Sequence, residues 1–176
     1  MKSTGVVRRI DDLGRVVIPK EIRKTLRIRD GESVEIFLDS DNIVLKKYSP
    51  FSNLDSFYRA YVDSVYPAIN GNIMIIDRDK FVAIAGELKK EYLNETISSY
   101  LDEIIQSRNV LTCYDFEEIN LTSNKKEIAS YVIAPIIVGG DAVGAVIILS
   151  KDKRVDDFVE KTVTIAAKFL GKYIEE

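Results

Sequence analysis

At 176 residues, 46% of them hydrophobic, the chain is long enough for one domain or two small ones and apolar enough to fold. It has no histidine and one cysteine, Cys113, which excludes Ser-His and Cys-His nucleophile pairs, HExxH zinc sites, imidazole general bases, multi-cysteine metal sites and an intrachain disulfide. The net charge is -3, yet the first 29 residues hold nine Lys/Arg against three acids, so a segment of +6 precedes 147 residues carrying -9. Positive charge gathered at one end of an acidic chain points to a dedicated anion-binding face.

Neither GxxxxGK[ST] nor GxGxxG after a strand occurs, and no enzymatic role is expected. No run of eighteen apolar residues is present, and Met1-Lys2-Ser3-Thr4 leads into no signal-like stretch. The expected location is the cytoplasm, away from any membrane.

In chain order, Thr4 to Ile10 reads as a strand, Asp11-Asp12-Leu13-Gly14 as a turn, and Arg15 to Ile18 as a second strand. Pro19 suits the start of a helix, and a short one over Lys20 to Leu26 is expected. At about 100° per residue, Ile22 and Leu26 fall on one side while Lys20, Arg23, Lys24 and Arg27 fall opposite, an apolar side and a basic one. Strands around Val34 to Leu38 and Ile43 to Lys47 follow, joined by Asp39-Ser40-Asp41-Asn42. Four short strands and a two-turn helix bury too little alone, and without cysteine here the remedy is an obligate dimer.

A linker is expected at Ser49-Pro50-Phe51-Ser52-Asn53, dividing the chain into residues 1–50 and 51–176. The second piece opens with an amphipathic helix from Leu54 to Tyr66 bearing Leu54, Phe57, Tyr58, Tyr61, Val62 and Val65, closed by Pro67. Asn72 to Asp77 and Phe81 to Ala85 read as a hairpin, followed by a helix from Asn94 to Ser107, a strand at Val110 to Cys113 and a surface loop over Thr122 to Lys126. Ala129 to Val138 and Ala142 to Leu149 form a hairpin about Gly139-Gly140-Asp141, apolar enough to be central strands. A helix bearing Val155, Phe158, Val159, Thr162, Ile165, Ala166, Phe169, Leu170 and Tyr173 closes the chain. The fold class is α+β in two domains, the second an antiparallel sheet flanked by helices.

The run from Lys2 to Leu26, with Ile43-Val44-Leu45-Lys46-Lys47-Tyr48 behind it, closely resembles the AbrB family of bacterial transition-state regulators, and residues 51–176 resemble a GAF domain. The resemblance implies a swapped-hairpin β-barrel interleaved from two chains, a DNA-binding regulator of late sporulation genes that activates some and represses others, and residence at the forespore nucleoid. The implied partner is double-stranded, AT-rich promoter DNA. The family's DNA-facing positions correspond to Arg8, Arg15, Arg23 and Lys24, the last a lysine where arginine is usual, which keeps the charge without the planar fork. Arg9, Lys20 and Arg27 share the same basic elements and are candidates for phosphate contact, with a solvated surface charge as the other reading of each.

The two terminal helices of the second piece admit two readings, internal core or a seam between subunits. The resemblance favours the seam and a homotetramer, with Leu54, Phe57, Tyr58, Tyr61, Val155, Phe158, Val159, Thr162, Ile165 and Phe169 as its residues. A GAF-like domain also implies either an unidentified small molecule, lined by Ile73 to Ile76 and the loops Glu87 to Asn94 and Asp115 to Lys126, or an apolar core without one. No metal or other cofactor is expected. An antitoxin-like protein-binding module autoregulating its own operon is the competing functional class, because antitoxins share the swapped-hairpin barrel.

Overall fold

The computed structural model describes residues 5–31, 33–48, 54–69 and 71–175. The chain separates into two compact units, Met1–Tyr48 and Ser49–Glu176. The expected linker at Ser49 to Asn53 lies outside the described residues.

The first unit holds α1 (Lys20–Thr25) and an antiparallel hairpin of β1 (Val34–Asp39) and β2 (Asn42–Lys47), in register from Val34↔Lys47 to Asp39↔Asn42. The two strands expected before α1 are not strands in the single chain, which therefore closes no barrel: residues 5–10 and 15–19 belong to no ladder. A strand exists only where a neighbour supplies N–H and C=O groups, and a swapped barrel draws them from a second chain. The turn between them does form, with the Gly14 amide donating to the Asp11 carbonyl at 3.0 Å and Gly14 at φ +77°.

None of the described side chains of this unit is buried, and Val7 and Leu38 stand 85% and 82% exposed. The expected inward packing of Leu26 fails in the single chain. Ile22 is half-buried, but the helix ends at Thr25 and Leu26 is exposed, because one copy offers it nothing to pack against.

The second unit is built on β3 (Asn72–Asp77), β4 (Lys80–Ala85), β5 (Leu111–Asn120), β6 (Lys126–Val138) and β7 (Asp141–Ser150), all antiparallel in the order β4-β3-β7-β6-β5. Alternation along the strands sends Ile73, Ile75, Val146 and Ile148 to one face and Met74, Ile76, Ala145 and Ile147 to the other. The first face is covered by α2 (Asp55–Val65) and α5 (Asp157–Glu175) through Tyr58, Val62, Val163, Ala166 and Leu170. Leu88, Tyr92, Leu101 and Ile105 close the second, from the segment around α3 (Lys89–Tyr92) and from α4 (Ser99–Gln106).

Several boundaries differ from expectation, and β6 opens at Lys126, the end of the expected surface loop, rather than at Ala129. α4 starts at Ser99 rather than Asn94, because Ser98 caps it, accepting the Leu101 amide at 3.1 Å, while Thr96 makes a bridge to Lys80. α3 occupies part of the segment read as a loop. β5 runs on to Asn120, past the expected Cys113, with an irregularity between Cys113 and Glu117 that interrupts its pairing to β6.

Candidate nucleic-acid interface

The basic residues of the first unit sit on three local devices. Arg8 and Arg9 lie on the exposed arm of residues 5–10, where the Arg8 guanidinium donates to the Val7 carbonyl at 3.0 Å. Arg15 follows the Asp11 turn. Asp11 Oδ1 accepts the amides of Leu13 at 3.1 Å and Arg15 at 2.8 Å, and Asp11 Oδ2 accepts Arg15 Nε at 2.7 Å. These bonds to the Arg15 amide and guanidinium hold the Asp11 carboxyl below its ordinary pKa.

Lys20, Arg23 and Lys24 are presented by α1. Pro19 precedes it, Glu21 lies in its first turn, and Arg23 and Lys24 lie in its last, the order that the helix dipole favours. The helix stops through Arg27, whose φ of +52° is the left-handed conformation more often given to glycine, and the Ile28 amide turns back to the Arg23 carbonyl at 2.8 Å. Arg8, Arg9, Arg15, Lys20 and Lys24 are exposed, whereas Arg23 and Arg27 are half-buried. Arg23 is engaged by Asp30.

Two acids therefore belong to this surface that reading by charge leaves out. Asp11 reads in sequence only as a turn residue, and Asp30 falls just beyond the basic first 29 residues. The signal for the first was its spacing of four from Arg15 across a glycine turn, which lets one carboxylate reach both backbone and guanidinium.

In the second unit the expected seam residues divide. Tyr58 and Val155 lie in this chain's own core and so do not face a second chain. Leu54, Phe57, Tyr61, Val159 and Thr162 are half-buried, and the Thr162 hydroxyl donates to the Phe158 carbonyl at 2.7 Å. Phe158 and Ile165 are 62% and 66% exposed, with Phe169 and Tyr173 also exposed. Phe57 stacks on Tyr173 with centroids 4.6 Å apart, and Phe57 and Tyr61 each lie 6.3 Å from Phe169, so α2 and α5 share one aromatic outer surface.

Where a small molecule was one of two expectations, Ile73 to Ile76 are packed on both faces by buried side chains, and the Glu87 to Asn94 segment sets Leu88 and Tyr92 into that packing. Cys113 is half-buried, and burial raises its thiol pKa. Among the described residues no group of three or more His, Cys, Asp or Glu is placed to hold a metal, and no helix is long and apolar enough to cross a membrane.

The family model described as stage V sporulation protein T C-terminal, transcription factor, matches residues 53–175, and the model of the MazE antitoxin, for antidote-toxin recognition, matches residues 7–53. The chain is 46% identical over 178 residues to stage V sporulation protein T of Bacillus subtilis (strain 168), covering 100% of both. It is 37% identical over 94 residues to the transition state regulatory protein AbrB of the same organism, covering 53% of this chain and 96% of that one. The GAF domain of a phosphoenolpyruvate-protein phosphotransferase from Coxiella burnetii superposes with a TM-score of 0.56 at 14% identity, over 70% of this chain and 83% of that one, a likeness of fold.

Proposed function

This chain belongs to the stage V sporulation protein T family of transcription factors, and from that membership we propose that it binds double-stranded promoter DNA through its first unit and regulates sporulation genes. The observation that carries the reading is the segregation within that unit. Exposed cations, among them Arg8, Arg9, Arg15, Lys20 and Lys24, accompany described apolar side chains none of which is buried. Such a unit reaches a folded core only with a second copy, and pairing doubles the basic surface.

A dimer so formed spans several phosphates on AT-rich duplex DNA. Each neutralised phosphate releases counterions and adds about -0.9 to the slope of log K against log salt. Arg8, Arg15 and Arg23 are the groups we assign to base edges, with Arg9, Lys20, Lys24 and Arg27 on phosphates. The second unit joins two dimers into a tetramer through the outer surface of α2 and α5. Its place of action is the forespore cytoplasm, at late genes of which it activates some and represses others, without enzymatic activity of its own.

Mobility-shift titration of Arg15→Ala and Arg23→Ala on promoter fragments tests the reading. Both variants are expected to bind more weakly with a flatter salt dependence while remaining folded by circular dichroism; unchanged affinity would remove these residues from the interface. The antitoxin match over residues 7–53 suits the same barrel. A toxin-wrapping tail, however, is a poorly packed segment, whereas the second unit here has buried side chains on both faces of a five-stranded sheet.

A further inference from the structure

Within the first unit, five hydrogen bonds converge on Asp11. Its amide donates to the Arg15 carbonyl at 3.1 Å and its carbonyl accepts the Gly14 amide at 3.0 Å. Its Oδ1 accepts the amides of Leu13 and Arg15, and its Oδ2 accepts Arg15 Nε at 2.7 Å. One carboxylate oxygen is thus spent on the loop and the other on the guanidinium.

Which guanidinium nitrogen is used decides what remains. Nε carries one of the five N–H groups, so the two terminal nitrogens keep four, on a side chain that is 71% exposed. A pair of parallel N–H groups from those nitrogens is what reads O6 and N7 of a guanine in the major groove. Arg23 is held differently, since Asp30 takes one of its terminal nitrogens, Nη1. That contact competes with end-on reading, whereas the Asp11 contact leaves it open.

The placement is costly unless it serves recognition. A carboxylate on a DNA-facing surface repels phosphate, and an exposed ion pair adds little to folding stability. What the contact supplies is orientation: a guanidinium whose plane is tied to a five-bond loop has less rotamer freedom to lose on binding than a free one. We propose that Asp11 is a positioning residue for Arg15, fixing its guanidinium for sequence-specific reading of a base edge; the proposal rests on the DNA-binding reading above.

Asp11→Asn separates the two uses of the carboxylate. The asparagine carbonyl still accepts the two backbone amides, while its NH2 group replaces Oδ2 and cannot accept Arg15 Nε. Full-length wild-type, Asp11→Asn, Asp11→Ala and Arg15→Ala chains, with the Asn variant also in the Arg15→Ala background, are titrated by fluorescence anisotropy. The probes are a duplex recovered by in-vitro selection with the wild-type chain and a mixed-sequence duplex of equal length. For Asp11→Asn, the ratio of specific to non-specific affinity is expected to fall about tenfold, the scale of one lost base contact. Binding to the mixed duplex is expected to rise, because a negative charge leaves the face. In the Arg15→Ala background the substitution should no longer change the ratio.

Equal tightening on both duplexes would overturn the proposal, leaving Asp11 as a mere repulsive charge. Equal weakening on both, matched by Asp11→Ala and a lower melting temperature, would overturn it in favour of a loop-folding role. A selection that enriches no duplex, together with no binding of the wild-type chain to the mixed one, would instead overturn the DNA-binding reading, and the proposal with it.

Discussion

The Tyr92 hydroxyl donates to Glu127 Oε1 at 2.6 Å, tying the short helix α3 to the start of β6. The other carboxylate oxygen of Glu127 receives the Lys151 ammonium at 2.7 Å, so a nearly buried acid is matched on both sides. Burial, then the bond to Glu127, pushes the Tyr92 hydroxyl above its ordinary pKa, and the bond to Glu127 likewise raises Lys151. Tyr92→Phe keeps the ring in the core and removes only the donor. Hydrogen bonds to charged groups contribute on the order of 1.5–3 kcal/mol, and Lys151 retains its half of the match. A loss of about 1–2 kcal/mol in urea unfolding is expected, and an unchanged midpoint would show that the contact contributes nothing.

Gly171 sets helix propensity against packing. A glycine inside a helix costs about 1 kcal/mol relative to alanine, so propensity alone says that Gly171→Ala stabilises α5. A Cβ there would stand 2.5 Å from the Ile137 carbonyl oxygen, a backbone atom of β6 that has no rotamer by which to yield. The expected outcome is therefore a destabilisation of about 1–3 kcal/mol, as for overpacked cores, read from the thermal midpoint.

The second unit was largely legible because its elements carry their own partners. The hairpin about Gly139-Gly140 forms with Val138 opposite Asp141, and both glycines take positive φ, at +56° and +89°. The apolar stripe of α5 was legible as a stripe but not as two faces. Val163, Ala166, Ala167 and Leu170 press on the sheet while Phe158, Ile165 and Phe169 point outward, and spacing of three and four recurs on both. The small residues Ala166, Ala167 and Gly171 lie on the pressed face, and at Gly171 the Ile137 carbonyl of β6 stands where a Cβ would be. In the first unit, residues 5–10 and 15–18 have the composition of strands, but composition does not name a neighbour, and their ladder partners are absent from the single chain. Asp11 was missed because its role depends on a hydrogen bond to Arg15 that no charge count contains.

The proposed assembly is open to test one level at a time. Leu38 is among the most exposed apolar residues of the first unit, and Ile165 of α5. An aspartate on a face that becomes buried leaves an unpaired charge in an apolar contact, a loss large enough to dissociate a marginal interface. Ile165→Asp is expected to halve the mass measured by light scattering, from tetramer to dimer, and to leave duplex binding by the first unit in place. Leu38→Asp is expected to abolish duplex binding, because the barrel itself fails. A wild-type mass already equal to that of Ile165→Asp would remove α5 from the interface.

The Tyr114 hydroxyl donates to Glu160 at 2.7 Å, joining β5 to α5, and Thr112 donates to the same carboxylate at 2.9 Å. The Tyr114 bond, then that of Thr112, lowers the Glu160 pKa below its ordinary 4.5, while the bond to Glu160 pushes Tyr114 up to about 12 from 10.0. The two shifts act at opposite ends of the pH scale. Glu160, depressed in the folded state, contributes stability that is full above pH 4.5 and is lost as pH falls through its folded value. Tyr114, raised in the folded state, contributes stability that is full below pH 10.0 and is lost as pH climbs towards 12. Tyr114→Phe removes the contact, the alkaline dependence and the larger part of the acid one, Thr112 still donating to Glu160, so its thermal midpoint should vary less than that of wild type below pH 4.5 and above pH 10. The difference between the two proteins should be greatest on the plateau between those limits, and a difference that persists undiminished at pH 3 would assign the effect to packing of the ring instead.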